Sequence, residues 1–251
     1  MSALLEVSGL NKHFGGLQAV RDVSFSIEPG EIVGILGPNG AGKTTLYNLL
    51  TGFIPFDSGS VVFKGRNLRG LAPYRIAGLG ISRTFQLCRP FIGMSVLENA
   101  VVGGLGAQGI DRSDLDQRAL ALLDQVGLGG KALLPVETLS YGDQRRLEIA
   151  RALAAKPALL LLDEPFAGLG SGEINDLSAL IRSVHAEQGL TVMLIEHKLH
   201  EFMRLVDRVI ALDFGEMIAE GTPEDIVRHP AVIEAYIGRG DEQAEEQTDA
   251  A

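Results

Sequence analysis

The chain has 251 residues, of which 46% are hydrophobic and 22% charged, a composition typical of a globular protein that can form one large domain. Its formal net charge of −10 argues against nucleic acid as the main partner, because binding to a phosphate backbone requires a basic face. Cys88 is the only cysteine, which excludes an internal disulfide. No apolar run approaches the roughly 18 residues that a membrane-spanning helix needs.

The two ends of the chain differ in character. The first residues, MSALLEVSGL, lack the basic start and apolar core of a signal peptide, so we expect a cytosolic protein. Residues 240–251 carry five acidic residues and no basic one, which predicts a solvated, disordered tail.

The first part of the chain predicts short strands around a glycine-rich loop. Residues 3–7 and 22–28 are expected to form strands separated by a glycine turn. EIVGIL (residues 31–36) has the apolar run of a buried strand, and GPNGAGKTT follows it directly. A helix is expected next, with an end near Gly52, and then a strand at residues 60–65.

The middle of the chain, from about residue 87 to residue 155, has helical periodicity. Within it, Gly104-x-Gly106-x-x-Gly109 matches a dinucleotide fingerprint but lacks the strand and helix that this motif requires. We interpret that stretch as a flexible connection.

Strand patterns return after this helical region. PALLLLDE (157–164) and LTVMLIEH (190–197) indicate buried strands, and residues 209–221 indicate a hairpin. Thr222 is expected to cap a last helix. Because strands alternate with helices, we predict an α/β fold with a mostly parallel sheet, an N-terminal antiparallel β subdomain and an inserted helical subdomain, all within residues 1–239.

The glycine-rich loop gives the clearest chemical signal. Gly37-x4-Gly42-Lys43-Thr44 matches the P-loop pattern, which predicts a P-loop NTPase core. Glycines let successive backbone N–H groups turn toward an anion, and the helix N-terminus adds its dipole. Lys43 is expected to reach the β- and γ-phosphates, and Thr44 to ligate Mg²⁺. The residues predicted to contact the nucleoside triphosphate are Gly37, Pro38, Asn39, Gly40, Ala41, Gly42, Lys43, Thr44 and Thr45.

Three further residues end predicted strands and should lie at the same crevice, because the strand ends of such sheets converge on the ligand. Asp163 is expected to hold Mg²⁺, and Glu164 to orient or deprotonate the attacking water. His197, at the end of another strand, suits a contact with the γ-phosphate.

Residues 139–153 read LSYGDQRRLEIARAL, and Ser140 is predicted to cap a helix there, with Asp143 at its third position. Three arginines on this helix, Arg145, Arg146 and Arg151, are expected to be solvated or ion-paired. The string resembles the signature sequence of ABC-type ATPases. The order of motifs from Phe14 to His197 is similar to the complete ABC set.

The resemblance implies roles for residues outside the phosphate loop. Phe14 would stack on adenine, with Val20 against the ribose. Gln86 would reach Mg²⁺ and relay to a membrane subunit. Ser140 and Gly142 would bind the γ-phosphate of ATP held mainly by the opposite subunit, so that two ATPase subunits, identical or different, sandwich two ATP molecules head to tail.

Several strings are similar to the branched-chain amino-acid importers, among them FGGLQAV at 14–20, EPFAGL at 164–169 and VIEAYIG at 232–238. This implies an ATP-hydrolysing subunit on the cytoplasmic face of the membrane. It would work with two membrane permease subunits and, indirectly, an extracytoplasmic solute-binding protein. Importers of urea, amides or aromatic acids remain alternatives.

Three positions depart from the family pattern. Asp143 stands where the signature usually has glutamine, which places a negative charge near the partner's nucleotide. Ala167 and Gly170 replace the usual serine and aspartate of the loop after Glu164. The inserted helical subdomain at about residues 87–155, called the helical lobe below, is also shorter than expected for the branched-chain importers.

Two non-transport classes of ABC ATPase are the alternatives to a transport ATPase. Those of DNA repair and chromosome maintenance insert long coiled coils, whereas only 52 residues separate Gln86 from Leu139. Ribosome-associated ABC factors normally carry two ATPase domains in one chain, and this chain has room for one. A transport ATPase is therefore the leading prediction.

Overall fold

The computed structural model describes residues 3–105 and 114–236; the predicted acidic tail and residues 106–109 of the glycine stretch lie outside these ranges. The strands are β1 (Leu5–Phe14), β2 (Leu17–Ile27), β3 (Ile32–Leu36), β4 (Ser58–Phe63), β5 (Arg66–Asn67), β6 (Ile81–Arg83), β7 (Leu159–Asp163), β8 (Thr191–Ile195), β9 (Arg208–Asp213) and β10 (Glu216–Gly221). The helices are α1 (Lys43–Leu50), α2 (Pro73–Gly78), α3 (Val96–Gly104), α4 (Leu115–Gln125), α5 (Tyr141–Ala154), α6 (Ser171–Gln188), α7 (Leu199–Leu205) and α8 (Pro223–Ile226).

A six-stranded sheet in the order β10-β9-β3-β8-β7-β6 forms the centre of the molecule. All neighbouring pairs in it are parallel except the β9–β10 hairpin, which is antiparallel. β3, β7 and β8 are buried at every residue because apolar side chains cover both faces of the sheet. Their sequences therefore read as continuous apolar runs, and the predicted mostly parallel sheet is confirmed.

The N-terminal part of the chain builds a second, four-stranded antiparallel sheet in the order β2-β1-β4-β5. It shares a hydrophobic core with α1 and one face of the central sheet, through residues such as Val33 and Ile35 of β3. The opposite face, with Ile32 and Leu36, packs in a core that includes α6 and the inserted helices α3, α4 and α5. β3 thus lies between two cores, which places the loop that follows it where both halves of the molecule meet.

In the chain, α3, α4 and α5 come after β6 and before β7. In the fold, these three helices pack on one another. β6 and α2 were not predicted from the sequence. β6 has three residues and pairs in parallel with β7, through Ile81 with Leu159 and Arg83 with Leu161. A strand this short has no readable period, so its place at the sheet edge appears only in the folded chain.

Along residues 3–105 and 114–236, every helix falls short of the length or the hydropathy that crossing a membrane would require.

Candidate active site

The loop between β3 and α1 has the geometry of an anion cradle. Gly42, which precedes α1, has φ 98°, and a Cβ at this position would lie 2.5 Å from the carbonyl oxygen of Ala19. Only glycine fits this backbone without strain. The first turn of α1 has neither a side-chain cap nor an acidic residue. Its N–H groups can therefore bind an anion, and the helix dipole favours one there.

Lys43 folds back across this loop. Its Nζ donates hydrogen bonds to the carbonyl oxygens of Gly37, at 2.6 Å, and Pro38, at 2.9 Å. The β9–β10 hairpin supports the other side, where the Gly215 N–H donates to the Ala41 carbonyl at 3.1 Å. The Lys43 ammonium is thus already held at the loop that the P-loop pattern predicts to bind phosphate.

Glu164, which follows β7, is the point at which the predicted catalytic residues meet. Gln86 Nε2 donates to Glu164 Oε2 at 3.0 Å, and His197 Nε2 lies 2.9 Å from Glu164 Oε1. Because a carboxylate only accepts hydrogen bonds, His197 Nε2 carries the proton in this contact. The structure therefore brings together three predicted residues from three separate loops.

The backbone of Glu164 is strained. Its φ is 50°, in the left-handed region that non-glycine residues rarely adopt. The conformation is held by a hydrogen bond of 2.9 Å from the Glu164 N–H to the carbonyl of Ile195, at the end of β8. Such strain, of about 1–3 kcal/mol, persists where the surrounding structure fixes it, and it turns the carboxylate toward Gln86 and His197.

Asp163, the last residue of β7, is 3% exposed and forms an ion pair with Arg83 at 2.7 Å between Oδ2 and Nη2. The other Arg83 Nη donates to Asn48 Oδ1 at 2.7 Å. Arg83 was not predicted from the sequence, because its role depends on the pairing of β6 with β7. Thr44, Gln86 and Asp163 line one cavity of about 890 Å³. Their hydroxyl, amide and carboxylate oxygens are the hard ligands that suit Mg²⁺.

Two other residues of this region were missed. The Glu196 side chain is almost fully buried and accepts hydrogen bonds from the N–H groups of Phe166, at 2.6 Å, and His197, at 2.9 Å. Burial raises its pKa. Glu196 thus fastens the loop after Glu164 to the loop that holds His197. The Tyr236 hydroxyl accepts a hydrogen bond of 3.1 Å from the Gly37 N–H, at the start of the phosphate loop.

The predicted adenine and ribose contacts differ in exposure. Phe14 is 45% exposed at the end of β1, with Lys12 Nζ 5.4 Å from its ring centroid, and it can stack on a base. Val20 is 2% exposed and belongs to the core beneath the N-terminal sheet. The structure therefore does not support the expected contact between the Val20 side chain and a ribose.

The signature helix α5 begins as predicted. Ser140 Oγ accepts a hydrogen bond of 3.2 Å from the Asp143 N–H, and Ser140 is exposed. Gly142 approaches Glu173 so closely that a Cβ would lie 2.4 Å from its Oε1. Asp143 does not present an unbalanced charge, because its carboxylate pairs with the Lys131 ammonium.

The arginines of α5 are only partly as expected. Arg146 pairs with the exposed Asp176 at 3.2 Å, as a solvated ion pair would. Arg145 is 2% exposed, so a solvated position is wrong for it. It is instead ion-paired with Glu148 at 3.1 Å, inside the lobe.

Comparison with known proteins identifies the family of this arrangement. The family model for ABC transporters matches residues 20–167. The chain is 42% identical over 249 residues to the high-affinity branched-chain amino acid transport ATP-binding protein LivG of Salmonella typhimurium, covering 94% of this chain and 98% of that protein.

The chain belongs to the ABC transporter ATP-binding family.

Other ABC relatives agree. The branched-chain amino acid transport protein BraF of Pseudomonas aeruginosa is 41% identical, covering 94% of this chain and 98% of that protein. A model for branched-chain amino acid ATP-binding cassette transporters matches residues 216–242, which include Tyr236.

Solved ABC cassettes share the fold. An ATP-binding cassette of an ABC transporter in its ADP conformation superposes with a TM-score of 0.85 at 31% identity, covering 95% of this chain and 100% of that one. A dimeric cassette bound to ADP and phosphate gives 0.77 at 27% identity, covering 87% of this chain and 98% of that one. The predicted family and fold class are confirmed.

Proposed function

We propose that this chain is the ATP-hydrolysing subunit of an importer for branched-chain amino acids. The contact of Gln86 and His197 with the Glu164 carboxylate, beside the phosphate loop, is the observation that supports hydrolysis. The kinship with transport proteins named for branched-chain amino acids supports the substrate class. In this proposal the chain acts on separate membrane subunits.

The chemistry follows from the groups in the site. The loop N–H groups and Lys43 bind the β- and γ-phosphates and stabilise the negative charge that develops on them. Each oxygen of Glu164 accepts one side-chain hydrogen bond and keeps capacity for another, so the carboxylate can accept a proton from the attacking water. His197 Nε2 holds Glu164 in that orientation. Thr44, Gln86 and Asp163 would hold a Mg²⁺ ion, which would neutralise charge at the phosphates.

A second ATPase subunit completes each site. Ser140 is exposed at the N-terminus of α5, and the N–H groups there, including that of Gly142, suit the γ-phosphate of a nucleotide bound by a partner. The partner is a second copy of this chain or a related ABC ATPase. The likeness to a dimeric cassette bound to ADP and phosphate supports this arrangement.

The two membrane subunits are proposed to dock beside Gln86, at the cytoplasmic face of the membrane. The cavity that Gln86 lines continues between the core and the helical lobe, and Leu87 and Phe91 stand on its rim, 63% and 42% exposed. Ile92 is 71% exposed next to them. An apolar, concave surface next to the site residue Gln86 suits a membrane subunit that senses the nucleotide state.

The test is reconstitution of the chain with its permease partners in proteoliposomes, together with the extracytoplasmic binding protein. Leucine-loaded binding protein should stimulate ATP hydrolysis and leucine uptake, whereas urea, an amide or phenylalanine should not. Stimulation by urea alone would replace the proposed solute with the alternative one. A rate of ATP hydrolysis that is the same with and without the permeases would contradict a role in transport.

A further inference from the structure

The loop that holds Gln86 is bound to the signature helix by two charged side chains. The Arg145 guanidinium donates to the carbonyl oxygens of Phe85, at 3.0 Å, and Gln86. Its Nη2 also donates to the Tyr141 hydroxyl at 2.9 Å, in the first turn of the same helix. A planar guanidinium can serve several acceptors at once, which a lysine ammonium cannot do in the same geometry.

Glu148, one turn further along α5, binds the same loop. Its Oε1 accepts a hydrogen bond of 2.9 Å from the Phe85 N–H. Its Oε2 accepts from Arg145 Nη1 at 3.1 Å and lies 3.5 Å from the thiol of Cys88. Helix α5 thus binds both backbone groups of Phe85, the carbonyl of Gln86 and the side chain of Cys88.

We propose that Arg145 and Glu148 are positioning residues that fix the Gln86 loop to α5, so that loop and helix move as one body. The helix carries Ser140 and Gly142 at its N-terminus, and the loop carries the amide that contacts Glu164 at 3.0 Å. A shift of α5 then changes where Gln86 meets Glu164. This inference rests on the proposed role of Glu164 in hydrolysis and adds the residues that connect it to the lobe.

The energetics fit such a role. Arg145 is 2% exposed, and a charge this deeply buried is tolerated because Glu148 pairs with it and neutral acceptors satisfy most of its other donors. Loss of the guanidinium would leave the carbonyls of Phe85 and Gln86 without these partners. The loop would then be expected to detach from the helix.

Cys88 offers a built-in reporter, because it is the only cysteine of the chain. The pKa of its thiol is raised to about 12, mainly by burial and then by the charge of Glu148, whereas the charge of Arg145 lowers it. A thiol with this pKa reacts slowly with a maleimide at neutral pH. Removing Arg145 alone would, through electrostatics, make Cys88 still less reactive, whereas release of the loop would expose it and make it more reactive.

The experiment compares Arg145→Met, Arg145→Lys and the control Arg146→Met in the full chain. Arg145→Met should raise the Cys88 labelling rate by about tenfold. It should lower kcat for ATP hydrolysis by about tenfold, because Gln86 is misplaced, and leave KM for ATP within about twofold. Arg145→Lys keeps the charge pair with Glu148 and therefore the fold. It should also raise the labelling rate and lower kcat, by smaller factors than Arg145→Met. Arg146→Met, whose partner Asp176 is exposed, should match the wild type.

Labelling that is unchanged or slower in both Arg145 variants would overturn the inference, whatever happens to kcat. Faster labelling at an unchanged kcat would also overturn it, because the clamp would then not position Gln86. The Glu164→Gln variant separates this from the proposed function: if that variant hydrolyses ATP normally, the catalytic assignment fails independently of the labelling result.

Discussion

Arg83 and Asp163 form an ion pair of 2.7 Å in which both side chains are about 95% buried, at 5% and 4% exposure. A buried pair differs from a surface pair mainly in what remains when one partner is removed, because the other charge is left without water or a counter-ion. This pair fixes the end of β7, and with it the position of Glu164.

Replacing Arg83 with methionine should therefore destabilise the protein strongly. The expected loss is about 3–5 kcal/mol in the free energy of unfolding, measured by urea titration, and adding Asp163→Asn should recover part of it. Arg21 provides a matched control, since its 2.6 Å pair with Glu216 is 54% and 47% exposed. Arg21→Met should change stability by less than about 1 kcal/mol. Equal losses in the free energy of unfolding for Arg83→Met and Arg21→Met would show that burial does not determine the contribution of an ion pair.

The ion pair with Lys131 changes what is expected of Asp143, the acidic residue in the signature sequence. Without Lys131 the Asp143 carboxylate would oppose the partner's triphosphate, so Lys131→Met should weaken ATP-dependent dimerisation about fivefold in analytical ultracentrifugation. Combining Lys131→Met with Asp143→Gln, which removes the charge, should restore wild-type dimerisation. If the double variant dimerises no better than Lys131→Met, the pair does not act by neutralising Asp143.

The pKa of Asp57 is lowered from 3.8 to about 2, first by the hydrogen bond from the Lys12 ammonium and then by the His13 N–H. A lowered pKa in the folded state means that the stabilisation is present above the unfolded pKa and is lost as the pH falls toward 2. Asp57→Asn should thus lower the unfolding midpoint at pH 7 and match the wild type near pH 2. A difference that persists unchanged at pH 2 would assign the effect to packing instead.

In the proposed head-to-tail dimer, each composite site needs the phosphate loop of one subunit and Ser140 of the other, so two different lesions should complement each other. A mixture of Lys43→Ala and Ser140→Arg chains places both lesions in one site of the mixed dimer and leaves the other intact. Some ATPase activity should return on mixing, measured against each variant alone at the same total concentration. A mixture that stays inactive, while the wild-type rate per chain is independent of concentration, would contradict the shared site.

Much of this architecture was predictable, and what was missed has common physical causes. β3, β7 and β8 are buried on both faces and read as apolar runs, so Glu164 and His197 could be placed at adjoining strand ends. Arg83 could not be found, because residues 83 and 163 meet only through the pairing of a three-residue strand.

The ion pairing of Arg145 was among the expectations, but its burial was not predicted, for a different reason. A charge pattern along a helix is ordinarily assigned to the solvent, and the acceptors that allow Arg145 to be buried belong mostly to a loop about 60 residues earlier in the chain, at 85–86. Val20 lies on the buried side of β2, an orientation that the register of β1 and β2, with its irregularities, decides.

The central claim is that Glu164 accepts the proton of the attacking water while other groups bind ATP. Glu164→Gln keeps the size of the side chain and should retain ATP binding, measured by equilibrium dialysis, while kcat falls by about 10²–10⁴. Lys43→Ala serves as the reference, because it should lose ATP binding itself. Retained binding with hydrolysis nearly abolished is the result we predict, and hydrolysis by Glu164→Gln at the wild-type rate would contradict the account.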